Sequence, residues 1–188
     1  ASLAQPNPYG CHYFRNHPSP PQPLTDAQRD QIQETIARSD TFDILHYDID
    51  IYVTRYNVQQ IYASTTVHYR ALMADQLFIR LDLFDLTVDS VTSPEVTLTF
   101  THDGEFLKVD FPVAPVLGED RSLTVHYHGH PHRDPDWGGF YFESNYIYNL
   151  GIGLTTIPPN FGKVWYPCFD SFVERATYTY RVKSAGTY

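Results

Sequence analysis

From residue 42 onward, apolar and polar side chains alternate in one short run after another, and this rhythm constrains the fold more than any other feature. Successive side chains of a strand point to opposite faces, so alternation buries one face and wets the other. Tyr47, Ile49, Ile51 and Val53 alternate with Asp48, Asp50, Tyr52 and Thr54. Ile61, Ala63, Thr65, Val67 and Tyr69 keep the same rhythm, as do Leu77, Ile79 and Leu81. Val96, Leu98 and Phe100 run into His102-Asp103-Gly104-Glu105, after which Leu107, Val109 and Phe111 resume. Asp-Gly between two alternating runs is a strong hairpin signal. Leu123, Val125 and Tyr127 make a further strand, and Tyr178, Tyr180 and Val182 the last. Many short strands with turns between them predict an all-β fold, an antiparallel sandwich or a partly open sheet.

The first forty residues follow other rules. Residues 1–24 hold Pro6, Pro8, Pro18, Pro20, Pro21 and Pro23; proline fixes φ and removes a backbone donor, so this stretch reads as an extended Pro-rich arm. Residues 25–40 read as one short helix and a linker. Thr25 with Gln28 forms a capping box, in which each side chain satisfies the other's backbone donor, and Ile32 and Ile36 lie one turn apart. So thin an apolar stripe requires the helix, over about residues 26–38, to pack on the body. Residues 41–188 then form the β-domain.

Composition narrows the function. With 13 Lys and Arg against 22 Asp and Glu, the net charge of −9 repels phosphate backbones, which argues against nucleic acid as a partner. No apolar run approaches the roughly 20 residues of a membrane-spanning helix. The two cysteines, Cys11 and Cys168, are too few for a disulfide framework. They read as free thiols with Cys168 buried, and would pair only in an oxidising compartment. The opening Ala-Ser-Leu-Ala-Gln resembles the small-residue end of a signal cleavage site, so the expected location is exported, periplasmic or extracellular, with the cytoplasm as the alternative.

No constellation of residues spells out catalysis. His126 and His128 lie on one strand face and can pair on a metal, but a site wants three or four ligands and Val125 and Tyr127 claim the inward face. The expected metal ligands are therefore none. Asp82, Asp85 and Asp89, and Asp134 with Asp136, read as a solvated acidic surface rather than an acid–base pair. There is no G-x-S-x-G elbow, no glycine-rich phosphate loop and no H-E-x-x-H helix. The densest aromatic stretch, Trp137, Phe140, Tyr141, Phe142, Tyr146 and Tyr148, suits core or interdomain packing. Were those rings exposed, the alternative is a stand-alone β-sandwich that binds glycan or protein through them.

Three segments carry a resemblance. Trp165-Tyr166-Pro167-Cys168-Phe169-Asp170-Ser171-Phe172-Val173-Glu174-Arg175-Ala176-Thr177-Tyr178 is similar to the aromatic-Pro-Cys-Phe-Asp-Glu-Pro-x-x-Lys-Ala-x-aromatic motif of aminopeptidase N-like zinc metallopeptidases. Leu45-His46-Tyr47-Asp48-Ile49-Asp50-Ile51 resembles that family's first strand, and the stretch from Val125 to Pro131 with Gly139-Phe140-Tyr141 a later one. The resemblance spans about residues 42–188. It implies a saddle-shaped β-domain, incomplete at its C-terminal end, that precedes a catalytic domain holding the zinc ligands, the general-base Glu and the G-A-M-E-N strand. None of those elements lies in this chain. Phe172 stands where the motif has Pro, and Arg175 where it has Lys. The family's loop before Pro-Cys carries a Gln and a Glu that reach the active site; counting back from Pro167, Thr156 and Pro158 occupy those places. Thr156, with Asn149 and Asn160 as compensating groups, is left as a substrate-binding candidate.

The resemblance thus implies a non-catalytic β-domain that packs on its own downstream catalytic domain and walls a peptide-substrate cavity, with zinc only in the parent's catalytic part. Such a domain should bare an apolar patch, for which Tyr146, Tyr148, Leu150, Ile152, Leu154 and Ile157 are the expected contributors. Asp170 is expected to accept local backbone donors after a strand opened by Pro167, and Arg175 to pair with a distant carboxylate.

Overall fold

The alternating runs fold into three open sheets in the computed structural model, which describes residues 23–94, 96–143 and 146–184. One helix and eleven strands occupy these residues: α1 (Asp26–Ser39), β1 (Phe42–Arg55), β2 (Gln60–Ala71), β3 (Phe78–Asp82), β4 (Thr87–Thr92), β5 (Thr97–Leu98), β6 (Phe100–His102), β7 (Phe106–Asp110), β8 (Asp120–Gly129), β9 (Gly138–Glu143), β10 (Tyr146–Gly153) and β11 (Thr177–Ser184). The largest sheet has the order β11-β1-β2-β8-β4-β5; β3-β7-β6 and β10-β9 form two smaller ones, and no barrel closes. Every pairing is antiparallel except β1 with β11, which run parallel. The fold is mostly β, as the alternation predicts. The arm expected over residues 1–24 lies almost wholly outside the described residues.

The helix begins where its capping box places it. Gln28 N–H donates to Thr25 Oγ1 at 3.2 Å, and Thr25 N–H donates to Gln28 Oε1 at 2.9 Å. Its last turn delivers Arg38 to the body, where the guanidinium grips both carboxylate oxygens of Asp82 at 3.0 and 2.8 Å. Both side chains are buried, so this bidentate pair supplies the docking that so thin an apolar stripe lacks.

The inner face of the large sheet carries the core: Ile49, Ile61, Val67, Leu123 and Val125 are sealed from solvent, packed with Ile79, Leu81, Leu107 and Val109 of the three-stranded sheet. The outer face is polar, with Asp48, Thr66, His68 and Thr124 exchanging hydrogen bonds across strands. A register shift between Ile44 and His46 moves the buried parity of β1 from Phe42 and Ile44 to Tyr47, Ile49 and Ile51. The run through Val96, Leu98 and Phe100 is not one strand. It breaks at Thr99, so that Leu98 pairs with Val91 in the large sheet and Phe100 with Val109 in the small one. The Asp-Gly hairpin between β6 and β7 forms, with the Asp103 carboxylate accepting from Glu105 and Phe106 N–H and Gly104 at φ +96°.

Candidate functional site

The Pro-Cys-Phe-Asp stretch is a lock between layers rather than the start of a strand. Cys168 makes an isolated antiparallel bridge to Asp82, with N···O distances of 2.7 and 3.0 Å, and Asp170 N–H donates to Asp82 Oδ2 at 2.9 Å. Pro167 is not within any strand, contrary to expectation, because the chain crosses the end of β3 there instead of extending along it. Asp82, expected on a solvated acidic face, is buried, and Arg38 compensates its charge. Cys168 is buried as expected, and burial pushes its thiol pKa well up. Arg175 is exposed, and no carboxylate among the described residues pairs with it.

Asp170 does accept backbone donors, but from a preceding loop. Gly162 and Lys163 N–H, at the start of the short 3-10 turn Gly162–Val164, both reach its carboxylate at 3.2 Å. Burial raises its pKa to about 6; the N–H donor of Lys163 opposes that rise and the nearby Asp82 charge reinforces it. This carboxyl fixes the loop that carries Asn160, Trp165 and Tyr166. A second anchor holds the same loop from the sheet, for the Tyr127 hydroxyl donates to the Trp165 carbonyl at 3.0 Å. Tyr127 has only one hydroxyl proton, so Thr65 Oγ1, 3.0 Å away and buried, donates to Tyr127.

These anchors shape a cleft of about 290 Å³ between β10, the 160–174 segment and the inner face of β1 and β11. Asn149, Asn160 and Trp165 line it together with Tyr166, Tyr178 and Tyr180. Tyr47, Tyr178 and Tyr180 stack in succession, with ring centroids 5.3 and 5.8 Å apart, and Trp165 lies 6.1 Å from Tyr180. Asn149 Oδ1, Asn160 Oδ1 and Trp165 Nε1 are buried without a hydrogen-bond partner among the described residues. Two acceptors and one donor beside aromatic walls are complementary to two N–H groups and one carbonyl, as successive residues of an extended backbone supply.

Asn149 and Asn160 therefore share one site, and Thr156 does not join them. Thr156 Oγ1 donates to the Gly153 carbonyl at 3.2 Å and borders a neighbouring recess with Asp134, His132 and Lys163. Asp134, also expected on a solvated surface, is buried. Burial alone would raise its pKa, but hydrogen bonds from Thr155, Trp137 and Asp136 outweigh that and lower it.

His126 is exposed on the outer face, and His128 stacks on Tyr62 and lies 3.0 Å from Asp89, a carboxylate contact the strand pattern does not reveal. Among the described residues, no three His, Cys, Asp or Glu side chains come together to hold a metal. Of the aromatic stretch, Phe140 and Tyr141 are core, whereas Tyr146 and Tyr148 are exposed. The run after residue 145 forms β10 against β9. Its Tyr146, Tyr148, Leu154 and Ile157 are exposed, while Leu150 and Ile152 are half-buried. Tyr178 and Tyr180 were no candidates on sequence, because their alternation is that of any buried strand.

No protein-family model and no curated protein matches the chain. Solved structures do, M1 zinc metallopeptidases among them. A two-domain M1 zinc metallopeptidase variant bound to L-arginine superposes with a TM-score of 0.67 at 23% identity, over 77% of this chain and 33% of its own. The M1 zinc metallopeptidase from Deinococcus radiodurans gives 0.66 at 23%, over 77% of this chain and 32% of its own. Native yeast LTA4 hydrolase gives 0.55 at 15%, over 91% and 26%. The chain has the fold of one part of these metallopeptidases and spans about a third of their length or less. No helix among the described residues is long and apolar enough to cross a membrane.

Proposed function

We propose that this chain is the non-catalytic β-domain of a zinc aminopeptidase-like protein, packing on that protein's catalytic domain and forming one wall of its peptide-binding cavity. The observation that carries this reading is the fold likeness, which takes in most of this chain but only a third of its neighbours. The Pro-Cys-Phe-Asp lock supports it, since that motif does structural work here and touches no catalytic apparatus of this chain. The chemistry would reside in the parent's zinc-binding part, where a metal-activated water cleaves the amino-terminal peptide bond. This chain's contribution is shape: a rigid sheet with a polar outer face and an apolar, incompletely covered inner one.

The test is to express the whole natural polypeptide and assay it on amino-acid anilides beside the 188-residue chain. The whole polypeptide should release amino-terminal residues in a zinc-dependent manner, and the 188-residue chain should not. A natural polypeptide without a further metal-binding domain, or an active 188-residue chain, would sink the proposal. The first of those outcomes would favour a stand-alone module binding through Tyr146 and Tyr148.

A further inference from the structure

The inner face of the large sheet is sealed over β1, β2 and β8 but not over β11. Register pairs Tyr47 with Tyr178, Ile49 with Tyr180 and Ile51 with Val182. Paired residues in a sheet share a face, so these three β11 side chains point the same way as the core residues of β1. Their surroundings differ sharply. Ile49 and Ile51 are 0% and 4% exposed, whereas Tyr178, Tyr180 and Val182 are 43%, 54% and 70% exposed. An isolated exposed apolar residue needs no explanation, but three in a row on a core-facing surface do. The uncovered strip runs directly into the cleft where Asn149 Oδ1, Asn160 Oδ1 and Trp165 Nε1 are orphaned. Asn160 is only 6% exposed, so its carbonyl oxygen has lost water and gained nothing in the described structure. A buried polar atom left unpaired costs about 1–3 kcal/mol, a penalty that a docked partner with matching groups removes.

We infer that the strip of Tyr178, Tyr180 and Val182, with the Asn149–Asn160–Trp165 cleft at its end, seats an extended segment from the rest of the parent polypeptide. This inference rests on the proposed function and names the surface involved. The segment would lay apolar side chains on the β11 strip and, as the Asn149, Asn160 and Trp165 side chains turn their buried polar atoms toward the cleft they line, donate backbone N–H to the two asparagine oxygens and accept from the Trp165 indole N–H. Two observations favour a segment of the parent over a second copy. The neighbouring structures share this fold over 77% of this chain yet devote about two thirds of their own length to other structure. The cleft's two unpaired acceptors and one unpaired donor are complementary to the N–H and C=O groups of successive residues in an extended segment, which a flat sheet face of a second copy does not present.

Hydroxyl-radical footprinting of the dilute 188-residue chain and of the whole natural polypeptide tests this. Tyr180 should fall from 54% exposed to below about a tenth, so its modification rate should drop about five-fold in the whole polypeptide, and that of Tyr178 similarly. Tyr52 and Tyr62, on the opposite face, should keep their rates. Unchanged rates at Tyr178 and Tyr180 in the whole polypeptide would overturn the inference. So would protection in the 188-residue chain that grows with its concentration, since that assigns the strip to a second copy. Val182→Glu gives an independent reading: it should lower the melting temperature of the whole polypeptide and leave that of the 188-residue chain unchanged, and an equal shift in both would count against docking. An inactive whole polypeptide that still protects Tyr178 and Tyr180 refutes the catalytic reading alone, and an active one that leaves them reactive refutes the docking alone.

Discussion

Asp170 binds its proton more tightly in the folded chain than it would unfolded. Its pKa stands at about 6 because burial penalises the carboxylate, against an ordinary value near 3.8. The stability this difference confers is complete below about pH 4 and is lost as the pH climbs through about 6. Asp48, Asp103 and Asp134 run the other way. Their pKa values are lowered by hydrogen bonds or charge that outweigh burial, so they stabilise above the ordinary aspartate range and lose that contribution in acid. The composite curve hides each group, but a difference isolates one. For Asp170→Asn, the unfolding free energy of the wild type minus that of the variant should fall by about 2 kcal/mol between pH 4 and pH 7. Denaturant titrations at the two pH values check it; a flat difference would show that Asp170 ionises normally. The acceptor role of Asp170 was legible, since a short carboxylate after Pro-Cys-Phe favours local N–H groups. Asp82 was not, because its importance depends on Arg38, which lies more than forty residues earlier in the chain, arriving from a helix.

At the scale of the element, strands could be read wherever alternation persisted and were lost wherever a bulge interrupted it. β4 escapes a pattern reading because a register shift between Val88 and Ser90 puts Val88 and Val91, not Val88 and Ser90, toward the interior. β9 and β10 escape it for another reason. In this two-stranded ribbon, residues 138–141 of β9 are buried whichever face they point to, and residues 146–148 of β10 are exposed whichever face they point to, so neither strand carries an alternating rhythm. The ribbon is held instead by close backbone approach at its glycine end. Gly138 has φ +129°, and a Cβ there would run into the Ile152 carbonyl oxygen. Gly151, two strand positions from the end of β10, has open space around it. Gly138→Ala should therefore cost more than about 2 kcal/mol, from the left-handed backbone and the clash together, while Gly151→Ala should cost nothing measurable. Thermal melts of the two variants decide this, and equal losses would show that the ribbon lacks the tight crossing described. Of the candidate site, the loop was legible from the residues before Pro167, but not which of its side chains share a cleft. That depends on Asp170 and Tyr127 pinning the loop from two sides, and neither contact is local in sequence.

Across the whole molecule, cover decreases outward from β2. This strand lies between β1 and β8 with a ladder along each side, and its inward residues Ile61, Val67 and Tyr69 are at most 1% exposed. At one side the sheet ends in β11, whose residues are nearly all exposed, and at the other in the two-residue β5. An amide exchanges with solvent when the smallest unfolding event that frees it occurs, so residues with few apolar contacts exchange through local openings and core residues only through global ones. β11 rests on a single neighbour and Tyr178, Tyr180 and Val182 on its apolar face are already 43%, 54% and 70% exposed, so opening it uncovers far less surface than opening β2 does. Opening β2 breaks two ladders and the core at once. Native-state hydrogen exchange of the 188-residue chain should accordingly show β2 and the facing halves of β1 and β8 exchanging last, at rates that report the global unfolding free energy. β10 and β11 should exchange orders of magnitude faster and with little dependence on denaturant. In the whole natural polypeptide β11 alone should move from the fast class to the slow one, because a segment seated on Tyr178, Tyr180 and Val182 ties its opening to that of the core. β11 amides that already exchange with β2 in the 188-residue chain would mean that the strip is stable without cover, and that nothing needs to dock there.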